Sequence, residues 1–313
     1  MKKKKYRVLI TWHSLIDNIK KYEHSLKKKN ISFDILRPIQ NFKAPVLQKI
    51  IHKYDGVICG DDEYNESVLN KAHKLQVISK WGTGVDSIDL EYAKKKKIKV
   101  CNVKDAFTNE VAIYAIGLII ALSRKFFESN YYLSKFKWQQ CRGVNLTKKK
   151  IGIVGFGKIG QKIATIAQSL DMEVLINDTD NNKKKLVKKL KFKNRSLNAI
   201  FSQSNFIIFA PNLNSTSYHM LNFKNLHFIK KKPILVNIAR GPIINEDALI
   251  YCLKKKIISN VGLDVFNKEP IDKKNKLIKA KGNFFSAHNA YNTHESVERT
   301  NEIVINNLID NLN

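Results

Sequence analysis

Three features of the 313-residue sequence predict an α/β fold made of two doubly wound parallel sheets. Short apolar, β-branched runs alternate with helical stretches. The alternation breaks once, near residues 102 to 108, and then restarts. The longest apolar stretch, Val111 to Leu122, is about twelve residues, short of the ~20 that a bilayer span needs. It reads as a buried helix.

In order, Tyr6-Arg7-Val8-Leu9-Ile10 reads as a strand, too short and too soon followed by His13 and Ser14 to be a signal segment. A helical stretch runs to Lys29. Strands follow at Phe33 to Arg37, ended by Pro38, and at Asp55 to Cys59. Glu66 to Lys74 reads as helix, with strands at Gln76 to Ser79 and Ile98 to Cys101. A long helical block covers Asn109 to Ser134. The second set of strands is expected at Lys150 to Val154, Glu173 to Ile176, Phe206 to Phe209, Ile234 to Ile238, Val261 to Val265 and Phe284 to Ala287. A last helix, Glu295 to Asn311, can return to the first unit. Strands spaced by helices make parallel βαβ units.

Composition narrows the function. Hydrophobic residues at 43% and charged residues at 27% suit a globular chain and exclude wholesale disorder. The net charge of +29 invites a nucleic-acid reading. Against it, only seven of the 56 basic residues are Arg, the side chain preferred for two-point recognition of bases and phosphates. The lysines fall in scattered runs: Lys2 to Lys5, Lys94 to Lys97, Lys148 to Lys150, Lys183 to Lys185, Lys230 to Lys232 and Lys254 to Lys256. Many precede strand-like runs, where they are expected to cap helix C-termini. Nucleic acid and membrane are therefore not expected partners. Cys59, Cys101, Cys141 and Cys252 form no CxxC pair, and no His stands at zinc-ligand spacing from them. They read as buried reduced thiols in a cytoplasmic protein, with no metal.

Ile151-Gly152-Ile153-Val154 runs straight into Gly155-Phe156-Gly157-Lys158-Ile159-Gly160, and a helix is expected from Gln161 to Leu170. A strand before and a helix after are the context in which this loop binds a dinucleotide in a Rossmann-like domain. Gly155 permits the tight turn, Gly157 lets the backbone approach a pyrophosphate, and Gly160 allows close helix-strand packing. Asp178, eighteen residues past Gly160, is placed to accept hydrogen bonds from the adenosine ribose; Asp180 competes for that role. A carboxylate there repels a 2′-phosphate and favours NAD.

Ligands of open parallel sheets bind beyond the carboxyl ends of the strands. Three predicted strands end near Arg240, Glu269 and His288. Arg240 can grip the carboxylate and carbonyl of a 2-keto acid with its fork. His288 can move a proton to or from the reacting oxygen. Glu269 beside the imidazole would orient it and favour its charged form.

These residues belong to motifs that resemble the D-isomer-specific 2-hydroxyacid dehydrogenases, most closely the phosphoglycerate dehydrogenase-like branch. The matching stretches are Lys80 to Asp89 (KWGTGVDSID), Ala106 to Ala112, the glycine loop, Asn214 to His219, Val236 to Gly241, Gly262 to Phe266 with Glu269-Pro270, and Ala287-His288. The resemblance implies a substrate-binding, flavodoxin-like domain of residues 1–102 plus 290–313. It implies a Rossmann NAD-binding domain of residues 103–289, a cleft between the two, and a homodimer formed through the NAD domain. It implies catalytic roles for Arg240, Glu269 and His288. Cofactor contacts are implied at Gly155, Gly157, Lys158, Ile159, Gly160, Asp178, Pro211, Thr216, Ala239 and Asp264, the last near the nicotinamide carboxamide. Substrate contacts are implied at Trp81, Gly82, Thr83, Gly84, Arg240 and His288, with the backbone N–H groups of the Trp81 to Gly84 loop binding the substrate carboxylate.

The chain departs from the family in places. Ala287 stands where the family usually has Pro, and Asn289 where it more often has an apolar residue. Gly60-Asp61-Asp62-Glu63 is acidic where phosphoglycerate enzymes place a basic residue. The expected activity is NAD-dependent interconversion of a small D-2-hydroxy acid and its 2-keto acid. The alternative is an NAD(H)-sensing binding protein on a dehydrogenase-like fold, for which the net charge is the only support.

Overall fold

The computed structural model describes residues 5–312; Lys2 to Lys4 of the first lysine run, and Asn313 of the last predicted segment, lie outside the described residues. The chain forms two compact units, Met1–Ala106 with Asn292–Asn313, and Phe107–Tyr291. Near the first division Val103 N–H donates to the Gly82 carbonyl at 3.0 Å and the Arg299 guanidinium donates to the Ala106 carbonyl. Near the second the Tyr291 ring packs against Phe107, 5.2 Å between centroids.

The first unit has five parallel strands: β1 (Tyr6–Ile10), β2 (Ile31–Ile35), β3 (Gly56–Cys59), β4 (Val77–Lys80) and β5 (Lys99–Cys101), in the order β2-β1-β3-β4-β5. This is the flavodoxin-like order, with its switch point between β1 and β3. β3 and β4 are buried throughout, as parallel strands covered on both faces must be. The returning helix, His294–Asp310, covers them. Ser79 Oγ donates to its Val304 carbonyl at 2.8 Å.

Two details correct the sequence reading of this unit. β2 lies two residues earlier than expected, because Asn30 turns the chain at φ +59° and Ile31 pairs with Tyr6. The helical stretch after β1 is three short pieces, His13–Ile16, Ile19–Lys21 and Glu23–Lys28. Asn18 donates its side-chain amide to the Ser14 carbonyl at 2.8 Å, competing with a continuous helix.

The second unit has seven parallel strands: β6 (Lys150–Val154), β7 (Glu173–Asn177), β8 (Lys193–Asn194), β9 (Phe206–Phe209), β10 (Ile234–Asn237), β11 (Asn260–Leu263) and β12 (Phe284–Phe285). Their order is β12-β11-β10-β9-β6-β7-β8. Counted from β6 this is the doubly wound dinucleotide-binding order, with the switch point between β6 and β9. The exposed two-residue edge strand β8 was not anticipated; Lys193-Asn194 carries no apolar signal. Helix Thr108–Ser123 buries Val111, Ala112, Ala115, Ile116, Leu118, Ile119 and Leu122. The expected single block ends there, because Lys125 turns to φ +61° before a second helix, Phe126–Ser134.

The lysine runs act differently from expectation. Lys94, Lys95 and Lys254 do lie in last helical turns. Lys183 to Lys185, however, sit in the first half of helix Asn181–Lys189, and Lys148 and Lys232 are in turns before strands. Six lysines (97, 125, 148, 191, 232 and 256) have φ between +46° and +61°, the left-handed region where glycine is the usual choice. Lys97, Lys191 and Lys256 close helices there, in the manner of a Schellman turn. The four cysteines are free; Cys59 and Cys252 are buried, but Cys101 and Cys141 are only half-buried, because they flank their apolar runs. No helix among the described residues is long and apolar enough to cross a membrane.

Candidate active site

In the second unit the helix after β6 starts at Lys158, three residues earlier than expected, with Gly157 as its N-cap. Gly155 has φ +94°, and a β-carbon on it would stand 2.6 Å from the Pro211 nitrogen. Only glycine fits. The N–H groups of Gly157, Lys158, Ile159 and Gly160 donate to no group among the described residues. Such orphan donors at the positive end of a helix dipole suit an anion.

A cavity of about 320 Å³ opens beside them. Gly155, Gly157, Asp178, Pro211 and Thr216 line it, as do Thr179, Lys183 and Ser217, which the sequence reading did not single out. The Asp178 carboxylate already accepts from Phe156 N–H at 2.6 Å and from Asp180 N–H at 2.9 Å. A carboxylate has about four acceptor sites, so ribose hydroxyls can still be taken. Asp180, the competitor, caps helix Asn181–Lys189 by accepting from Asn182 N–H at 2.8 Å. The residues fit a dinucleotide on local grounds: a β-carbon at Gly157 would meet nothing within 4 Å, so the loop has open space where a pyrophosphate needs it.

Arg240 follows β10. Its turn is set by Asn237, whose side chain accepts from Ala239 N–H at 3.1 Å and donates to the Arg240 carbonyl at 3.0 Å. Asn237 was quoted in a motif but given no role; a buried amide at a strand end was the available signal. His288 stands beyond β12 at φ +52°, and its N–H donates to the Asp264 carbonyl at 2.8 Å. His288 Nδ1 lies 3.0 Å from Glu269 Oε2, and Glu269 Oε1 accepts from Phe266 N–H at 2.9 Å. The pairing orients the ring and favours the tautomer that carries its proton on Nδ1.

Asp264, expected beside a nicotinamide, is buried and braces the His288 loop. Its Oδ1 accepts from Ser286 Oγ at 2.6 Å and Asn289 N–H at 2.7 Å, and its Oδ2 from Ala290 N–H at 2.9 Å. Three bonds hold a loop in which Ala287 replaces the stiffer proline. Burial raises the hydroxyl pKa of Tyr114, which lies near Ser286 and Asp264. Ala239 is buried, Ile159 is half-buried and Lys158 is exposed.

In the first unit, the Trp81 to Gly84 loop leaves β4. Trp81 is buried, with Nε1 donating to Asn301 Oδ1 at 2.7 Å and its ring stacked on Trp12 at 5.2 Å. The Gly82 and Thr83 carbonyls accept from Val103 N–H and Asn102 Nδ2. The Gly82, Thr83 and Gly84 N–H groups donate to no group among the described residues. The loop is thus pinned through two carbonyls and its indole, while the Gly82, Thr83 and Gly84 N–H groups are unengaged among the described residues.

The acidic stretch after β3 is structurally engaged. Asp62 accepts from Thr11 Oγ1 at 2.5 Å and Phe42 N–H at 2.6 Å, and burial raises its pKa. Glu63 is lowered by Lys43, 2.6 Å away. Asp61 pairs with Lys80.

Residues 116–290 match the family described as D-isomer specific 2-hydroxyacid dehydrogenase, NAD binding domain. The chain is 31% identical over 280 residues to a glyoxylate reductase of Thermococcus litoralis, covering 85% of this chain and 84% of that one. It is 33% identical over 257 residues to a glyoxylate reductase of Pyrococcus furiosus, covering 79% and 76%. A solved D-lactate dehydrogenase from Aquifex aeolicus, complexed with NAD and lactic acid, matches with a TM-score of 0.84 at 25% identity, covering 96% of this chain and 93% of that one. With the strand orders and the glycine loop in place, these likenesses establish that the chain belongs to the D-isomer specific 2-hydroxyacid dehydrogenase family and that NAD is its cofactor.

Proposed function

We propose that this dehydrogenase reduces a short 2-keto acid with an uncharged tail, glyoxylate or a close homologue, with NADH. The single observation that carries the reading is the His288–Glu269 pair at 3.0 Å, in the same unit as Arg240 and the open glycine loop. The names of the relatives support the substrate. The likeness to the phosphoglycerate branch is then one of scaffold; the acidic residues after β3 argue for an unphosphorylated tail.

The bound dinucleotide supplies or accepts the hydride. The glycine-loop N–H groups hold its pyrophosphate, and Asp178 its ribose. Arg240 lays its fork on the keto oxygen and carboxylate of the substrate. In reduction, His288 Nε2–H gives its proton to the carbonyl oxygen as negative charge builds there, while Glu269 stabilises the imidazolium through Nδ1. In the reverse direction, neutral Nε2 takes the hydroxyl proton. Asp264 positions His288 through the loop.

A homodimer is part of the reading. Segment 126–144 of the second unit exposes Phe126, Tyr131, Leu133, Phe136, Trp138 and Val144, with Phe136 99% and Trp138 92% accessible. Apolar exposure so concentrated marks an interaction surface. A cytoplasmic setting suits the four free cysteines.

The test is His288→Gln. We expect kcat to fall by about 10²–10⁴ with NADH affinity retained. Unchanged turnover would remove the role given to His288.

A further inference from the structure

The anion site of the first unit has a charged floor. Lys80 ends β4 with its side chain 3% exposed, and its Nζ meets Asp61 Oδ1 at 2.8 Å and the Trp81 carbonyl at 3.4 Å. A β-carbon on Gly82 would stand 3.3 Å from that Nζ, and Gly82 has φ +136°. The ammonium therefore lies directly beneath the loop whose Gly82, Thr83 and Gly84 donors are unengaged among the described residues. Three free N–H groups over one buried cation point to an anion. A buried ammonium needs a counter-charge. Asp61 supplies it directly at 2.8 Å, and the buried Asp62 carboxylate, held by Thr11 and Phe42, adds a weaker attraction. The Asp61 side chain is 37% exposed, so the pair is closed at Lys80 and open to solvent at Asp61.

We propose that Lys80 and Asp61 are a selectivity pair: Asp61 holds the ammonium that would otherwise draw a second anion, and its own charge rejects a tail that carries one. The inference rests on the reading of the Trp81 to Gly84 loop as the substrate-carboxylate site. Its logic is like-charge exclusion. A phosphate approaching the edge of β3 and β4 meets the Asp61 carboxylate, and the cation that could bind it is already held. Removing the Asp61 charge loosens the hold on that cation, because its direct partner is then gone. Asp61→Asn does so with the shape kept, and Asp61→Ala also opens a space that an anion can fill. The pair makes this a keto-acid site for short, uncharged tails by electrostatics as well as by size.

The experiment compares hydroxypyruvate with phosphohydroxypyruvate, which differ only by the phosphate, in the wild-type protein, D61N and D61A. The ratio of kcat/KM values, phosphorylated over plain, is expected to rise at least tenfold in both variants, equal to about 1.4 kcal/mol. A ratio unchanged in both overturns the proposal, whatever the rate on the plain keto acid. A second readout needs no turnover: the unfolding midpoint is followed against inorganic phosphate. D61A is expected to gain a phosphate-dependent rise that the wild type lacks, and D61A combined with Lys80→Met is expected to lose it. If no variant turns over any keto acid, the functional reading fails, and the phosphate titration alone decides the pair. If the wild type reduces hydroxypyruvate and neither readout moves, the pair fails and the functional reading stands.

Discussion

His288 shows how one residue is set by several others. Its left-handed backbone is held by the Asp264 carbonyl, its loop by the Asp264 carboxylate, and its ring by Glu269. The candidate triad was legible in the sequence because each residue falls just past an apolar strand run. The supports were not. Asp264 looks the same in sequence whether it faces a cofactor or a loop, and only the fold brings Ser286, Asn289 and Ala290 onto it. Lys80 was harder still: a lysine at the end of an apolar strand gives no sign that its ammonium will be buried against Asp61. The ring pairing predicts an effect on rate. Glu269→Gln removes the carboxylate that orients the ring, so kcat for keto-acid reduction should fall by about tenfold or more with NADH affinity retained. An unchanged kcat would mean that the 3.0 Å contact does not govern His288.

At the scale of elements, most strands are where alternation of apolar runs put them, since a parallel sheet covered on both faces demands continuous apolar residues. β1, β6 and β9 have the expected limits. Helix ends were less legible, and the reason is chemical. Glycine is the usual mark of a left-handed helix end, but this chain, with 13 glycines, places lysine there instead. The break at Lys125 inside the predicted block Asn109 to Ser134 carried no glycine or proline to announce it. The substitution has a cost, because a β-carbon in the left-handed region is disfavoured by roughly 1–2 kcal/mol. Lys97→Gly, at the end of helix Leu90–Lys95, should therefore raise stability by about 1 kcal/mol, seen as a higher urea midpoint with unchanged slope. A lower midpoint would show that the lysine stem makes up for its backbone.

The whole molecule is two parallel-sheet units of different strand order, one flavodoxin-like and one dinucleotide-binding. That pairing was legible from the break in alternation. The net charge of +29 is spread over helix ends, turns and one helix, and forms no element of its own. The apolar segment 126–144 argues for association at this scale. The proposed homodimer predicts that Trp138→Glu sediments as a monomer where the wild type sediments as a dimer; a wild-type monomer would remove this part of the account. The central claim is NADH-dependent reduction of a short keto acid with an uncharged tail. Its most direct test follows NADH absorbance with the wild-type protein on glyoxylate, hydroxypyruvate, pyruvate and phosphohydroxypyruvate. The account predicts turnover on one or more of the three plain acids, and a lower kcat/KM on phosphohydroxypyruvate than on hydroxypyruvate. A preference for the phosphorylated acid, or no turnover on any despite measurable NADH binding, would contradict it.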